Sequence, residues 1–210
     1  MPGPSVDLPG YIWDATTPGG CYRLVNADGA PGRRVDEKEI AAYLVALCDD
    51  SEKQLSLLAA AVMDGDIPPS LFQRATMEQL KNLHMSIAVL GVGGWDQADK
   101  RVYGRVGRKL RDEYGYLRSF TLALVAGELS STQASERAKL YIDNAYGEFW
   151  SERERALARS GNQEEHWVTE PGACNLCLDA ESRGWVPVGT FIIPMHNRCR
   201  CHKEYRSYAE

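Results

Sequence analysis

Apolar side chains recur three or four positions apart along most of this chain, which is the period of an α-helix. The spacing runs through residues 37–63 and returns over about 70–91, 96–126 and 131–160. Glycine or proline follows each segment, and both residues commonly mark the end of a helix. The pattern predicts a mainly α protein whose four helices form an antiparallel bundle.

Local signals also mark the helix ends. Asp36 with Glu39, and Ser130 with Gln133, have the spacing of capping boxes at the starts of the first and fourth helices. The glycine cluster at 91–94 has a helix before it, whereas a phosphate-binding loop needs a strand there. We therefore interpret that cluster as a helix C-cap.

The chain changes character at both ends. Residues 1–35 are rich in proline and glycine, and the strand-like run at 21–25 predicts an extended arm with a hairpin. Beyond the last helix, β-prone residues between 185 and 193 predict a short hairpin. The sequence thus divides into an arm (1–35), a helical bundle (36–160) and a Cys/His-rich β tail (161–210).

The tail contains a CxxC followed by an HxxCxC, a spacing typical of metal ligands. The candidate ligands are Cys174, Cys177, His196, Cys199 and Cys201. Two thiolates three positions apart can grip a tetrahedral zinc ion from a tight turn, and a second pair closes a zinc-knuckle-like site. Extended backbone would point Cys199 and Cys201 to opposite faces, so we favour Cys174, Cys177, His196 and Cys199 as the ligands, with Cys201 in reserve. The fourth ligand thus stays open between His196 and Cys201.

Disulfide bonds or plain thiols are the alternatives for these cysteines. The first residues lack the basic start and apolar run of a signal peptide, so we expect the thiols to stay reduced where the chain is made. Disulfide bonds could still form later, in an oxidising medium outside the cell.

The net charge of −5 argues against nucleic-acid binding over the whole surface, and no apolar stretch is long enough to span a bilayer. Residues 99–118 are nevertheless locally +4. We favour a solvated helix face with intrahelical pairs such as Arg108 with Asp112. The alternative is a stripe that contacts DNA or an acidic partner, through Arg101, Arg105, Arg108 and Arg111. The charged residues 152–159 are expected to be exposed.

No histidine or cysteine lies in a sequence pattern that predicts a catalytic residue. We therefore expect that the protein is not an enzyme. His84 lies in an apolar run and is expected to be partly buried in a structural role. His166 is placed in a loop before the CxxC. His202 is a weaker candidate ligand. Cys21 and Cys48 have no adjacent histidine or basic cluster that would activate a thiolate.

A metal-dependent nuclease of the His-Asn-His type is the main enzymatic alternative, because His196 precedes Asn197. Such a site needs a later helix that returns another ligand to the ion, and only nine residues follow Cys201. A DNA-binding adaptor that uses the basic third helix is a second alternative.

Several motifs together resemble a known family over about residues 70–206. They are Gly107–Leu117 with Phe120, Gly127–Ser130, Arg137–Tyr141, Trp150, the CxxC and HxxCxC motifs, Gly184–Trp185, Pro187, Gly189 and Tyr205–Arg206. This set is similar to the head morphogenesis, or minor head protein, family of tailed bacteriophages, which includes the F-type protein of phage Mu. Members often have proline after the motif histidine, where this chain has Asn197.

The resemblance implies a structural protein, present in several copies in the virion and made in the host cytoplasm. The implied partners near the portal are the portal protein and the major capsid or scaffolding proteins. Contact with packaged DNA would use the arginines of the third helix, and no membrane is involved in assembly.

Overall fold

A computed structural model describes residues 10–17, 19–161, 163–192 and 199–208. This part of the chain is mainly helical, with two small antiparallel sheets. The helices are α1 (Glu37–Met63), α2 (Pro69–Val92), α3 (Lys100–Val125), α4 (Ser131–Ser160) and α5 (Asn175–Ser182). The strands are β1 (Tyr11–Asp14), β2 (Cys21–Val25), β3 (Pro31–Arg34), β4 (Gln163–Val168), β5 (Val186–Pro187) and β6 (His202–Ser207). Among the described helices, none has the length and apolar character that crossing a membrane requires.

The predicted helix ends are confirmed by their caps. The Asp36 side chain accepts a hydrogen bond from the Glu39 N–H at 2.7 Å, and Ser130 forms a full capping box with Gln133. Gly93 ends α2 in the left-handed region, with φ 102°. The α3 helix begins at Lys100, a little later than expected, because the preceding residues 95–97 form a 3-10 turn.

The α4 helix packs chiefly against α2 and α1, and α2 also packs on α3. The apolar faces predicted for α3 and α4 are buried. They comprise Val102, Val106, Leu110, Leu117, Phe120, Leu124, Ala134, Ala138, Tyr141, Ile142, Ala145 and Phe149. Gly91 of α2 lies so close to α4 that an added Cβ would be 2.5 Å from the Phe149 carbonyl oxygen. The two helices can approach this closely only because that position has no side chain.

The first sheet has the order β1-β2-β3, so the predicted hairpin is present as β2 and β3, with β1 added on its other side. This sheet packs on the helices. Tyr22 donates a hydrogen bond to the Leu90 carbonyl at 2.8 Å. Arg153 of α4 donates to the carbonyls of Gly19 and Gly20 and lies over the Trp13 ring. Residues 1–9 and 18 of the predicted arm lie outside the described residues.

The charged end of α4 is exposed only in part, at Arg155 and at residues 158–159, whereas the whole segment 152–159 was expected to be exposed. Glu152 and Arg153 are only 0% and 5% exposed. A charge can be buried when partners satisfy it, and Glu152 accepts hydrogen bonds from both Arg105 of α3 and Arg155. The α3 cations Arg105 and Lys109 therefore pair with carboxylates of α4, and among the described residues no ion pair joins Arg108 to Asp112, contrary to the intrahelical pairing we expected for α3.

Replacing Gly91 by alanine should lower the free energy of unfolding by about 1–3 kcal/mol, because the new methyl group has no room against α4. Gly107→Ala is the matched control, since an added Cβ on this exposed α3 residue meets nothing within 4 Å. The control should stabilise by up to about 1 kcal/mol through helix propensity. Urea unfolding measures both, and equal effects would contradict the close α2–α4 contact.

Candidate metal centre

The cysteines of the CxxC lie at the start of a helix, and this corrects the tight turn predicted from the sequence. Cys174 is the N-cap residue of α5, and Cys177 lies within its first turn. Helical backbone brings residues three apart to the same side. The two sulfur atoms are accordingly 3.7 Å apart.

The second sheet, in the order β5-β4-β6, also differs from the prediction. Its central strand β4 contains His166, which was expected in a loop. The hairpin expected between 185 and 193 is reduced in the described residues to the two-residue β5, which pairs with β4. The strand β6 pairs with β4 along its full length, so residues 202–207 are fixed in the sheet.

Three buried sulfur atoms meet where α5 faces the start of β6. The Sγ atoms of Cys177, Cys199 and Cys201 all lie within 4.8 Å of one another, and Cys177 and Cys199 are 3.7 Å apart. These three residues are 0%, 2% and 3% exposed. A tetrahedral ion with metal–sulfur bonds of about 2.3 Å separates its sulfur ligands by about 3.8 Å. The cluster could therefore hold a metal ion, and Cys174 lies beside it.

The structure brings Cys201 into the cluster, although the sequence made it the least favoured of the five candidate metal ligands. That argument assumed extended backbone, whereas residues 199–201 precede β6 and are not part of a strand. The sulfur atoms of Cys199 and Cys201 can thus converge. His196, the other candidate for the fourth position, lies outside the described residues, as does Asn197 of the nuclease alternative.

The thiols of the cluster differ in acidity because they bond to one another. Burial raises the pKa of Cys177 to about 12. The hydrogen bond between Cys199 and Cys201 raises the pKa of Cys199 and lowers that of Cys201 to about 6. Since the thiolate is the form that binds metal, Cys201 is the thiol of this group that ionises most readily.

Arg200, between the last two cysteines, anchors the cluster to the helices. Its guanidinium lies 2.9 Å from Glu52 of α1 and 2.9 Å from Asp143 of α4. The Tyr146 hydroxyl donates to the carbonyls of Arg200 and Cys201, at 3.1 and 3.2 Å. Sequence reasoning missed Arg200, because its partners are far away in the chain and leave no local signal.

A buried lysine holds the second sheet together. Lys203 of β6 donates to Glu165 of β4 at 2.8 Å and to the Phe191 carbonyl at 2.5 Å. Glu165 also accepts from the Phe191 N–H at 2.7 Å, and Glu154 of α4 lies 3.4 Å from the lysine nitrogen. Both Lys203 and Glu165 are fully buried, so each charge depends on the other.

Two of the histidines are buried away from solvent. His84, which was expected to be partly buried, is fully buried, with its Nδ1 atom 3.6 Å from Glu148. His202 is also buried, and its ring lies 6.2 Å from the Trp150 ring. Burial lowers the pKa of His202, which favours the neutral imidazole.

Comparison of the chain with protein-family models, with curated proteins and with solved structures gives no match.

Replacing cluster cysteines should remove bound metal from a protein that otherwise holds about one zinc ion per chain. We expect Cys177→Ser and Cys201→Ser to lose most of the metal, and His196→Ala to retain it. Cys21→Ser is the matched control, because Cys21 of β2 is also buried but bonds to Thr17, outside the cluster. Elemental analysis of protein purified without chelator decides the question. Metal loss in His196→Ala with retention in Cys201→Ser would reverse the assignment of the fourth ligand.

Replacing Lys203 by methionine should destabilise the protein by about 3–5 kcal/mol, because Glu165 would be left buried without its cation. Adding Glu165→Gln to this variant should recover part of the loss. Lys139→Met removes the partly exposed pair with Glu136 and should cost less than about 1 kcal/mol. Equal losses of unfolding free energy for Lys203→Met and Lys139→Met in urea would show that the buried pair stabilises the protein no more than the Lys139–Glu136 pair.

Proposed function

We propose that this protein is a structural minor head protein of a tailed phage. In this proposal the long helices form an antiparallel bundle, and a zinc-knuckle-like site holds the C-terminal tail on it. The observation that supports the proposal most is the enclosed cysteine cluster, with three buried sulfur atoms and Cys174 beside them.

The donor set fits a structural zinc site. Structural zinc is surrounded by four protein ligands, whereas catalytic zinc keeps one position for water. Cys174, Cys177, Cys199 and Cys201 supply four thiols, and the last three are almost inaccessible to solvent. Zinc at this site would cross-link α5 to the start of β6 and would have no position open to substrate. This supports a structural role over the nuclease alternative.

The contacts around the cluster support a tail of fixed shape. Arg200 joins the cysteine segment to α1 and α4, and Lys203 joins β6 to β4 and lies close to α4. With zinc added, α5 would be tied to the segment 199–201, which Arg200 already joins to α1 and α4. A rigid surface of this kind suits a protein that takes a defined place in a capsid.

The proposed partners follow from the motif resemblance. They are the portal protein and the major capsid or scaffolding proteins, and the proposed location is the virion, with several copies per particle. The exposed arginines of α3 are the proposed contact with packaged DNA.

Quantitative mass spectrometry of procapsids and virions tests this proposal in the phage or prophage that encodes the chain. We expect the protein in particles, together with the portal protein, and we expect Cys177→Ser to be incorporated less than Cys21→Ser. Particles of both kinds that lack the protein would refute the proposal.

A nicking assay tests the nuclease alternative separately. We expect the purified protein to leave supercoiled plasmid intact with magnesium, manganese or zinc. Nicking that is lost in His196→Ala would establish the nuclease instead.

A further inference from the structure

A cleft of about 380 Å³ lies between α3 and α4, and no cysteine of the cluster lines it. Its walls are formed by Arg105, Arg108, Lys109, Gly147, Glu148, Ser151 and Arg155. Four of these seven residues are cations, in a protein whose net charge is −5. The local charge is thus opposite to that of the whole molecule.

Carboxylates hold three of the cations in place. Glu152, fully buried behind the cleft, binds Arg105 through two nitrogens and Arg155 at 2.9 Å. Lys109 lies 2.7 Å from Glu148 and also donates to the Asn144 carbonyl at 2.7 Å. Side chains fixed in this way lose little further conformational entropy when a ligand arrives.

The two carboxylates do not balance the four cations, and about two positive charges remain. Glu148 is ionised at neutral pH: burial raises its pKa, but His84 and Lys109 outweigh that effect and lower it to about 2. Two charged carboxylates cannot neutralise four cations. Arg108 is exposed and has no ion pair among the described residues. Arg155 is also exposed, so its remaining N–H donors reach solvent.

We propose that this cleft binds a phosphate group. A guanidinium presents a planar set of donors that matches phosphate oxygens, and pairs of this kind are short and strong. Arg108 and Arg155 supply such donors from the two walls, and Ser151 of α4, whose hydroxyl can also donate, lines the same cleft. The Glu148 carboxylate faces the same cleft, but Lys109 neutralises it.

The phosphate could belong to a small ligand or to a nucleic-acid backbone. Arg101 lies one helical turn before Arg105 on the same face of α3 and extends the positive surface beyond the cleft. Both sources present the same chemistry to Arg108 and Arg155. This inference does not depend on the capsid role, because it rests on the α3–α4 contacts alone.

Two binding measurements on the full chain test the proposal. Isothermal titration with inorganic pyrophosphate covers the small ligand, and fluorescence anisotropy with a labelled DNA duplex covers the backbone. We expect at least one probe to bind, and we expect Arg108→Gln to weaken that binding about tenfold. Arg155→Gln should act in the same direction. If pyrophosphate binds and displaces the duplex, the two share the cleft; binding of the duplex alone assigns the site to a nucleic-acid backbone.

Arg118→Gln is the matched control, because Arg118 is also an exposed arginine of α3 but does not line the cleft. It should change the affinity less than twofold. Arg108 has no described ion pair to lose, so Arg108→Gln should keep the thermal stability of the original protein. The proposal is overturned if neither probe binds below ~1 mM, or if Arg118→Gln weakens binding as much as Arg108→Gln.

Discussion

The structure depends on the pairing of charges that α4 buries. Along one helix, Asp143 binds Arg200 of the cysteine segment, Glu152 binds Arg105 of α3, and Arg153 binds carbonyls of the loop between β1 and β2. Each charge would be costly in the protein interior without its partner. Because the partners come from different parts of the chain, these pairs connect α3, the first sheet and the tail to one central helix.

Local signals explain why the helices could be predicted from sequence. Capping side chains such as Asp36 and Ser130 act within three residues, and the apolar period repeats within two turns. The strand β4 lacked such a signal, because it contains three charged or ionisable residues in succession and its partner β6 begins at His202. The burial of Arg153 could not be predicted from the sequence either, since its acceptors Gly19 and Gly20 are more than 130 residues away in the chain.

The candidate metal site was predictable in its residue types but not in its shape. The spacing of CxxC and CxC identified the cysteines, whereas the helical start at Cys174 and the turn between Cys199 and Cys201 depend on tertiary contacts. Arg200 and Tyr146 hold that turn against the helices, which is why a rule for extended backbone failed there. The positive cleft was hidden for a related reason, because Arg155 comes from a different helix than the arginines of α3.

The proposed role depends on a closed metal site, since a site without a water position can stabilise a tail but cannot activate a substrate. Zinc-edge X-ray absorption spectroscopy of the purified protein tests this most directly. We predict four sulfur ligands at about 2.3 Å. A coordination shell that contains an oxygen or nitrogen ligand, or protein that binds no zinc while its tail stays folded, would contradict the closed four-cysteine site.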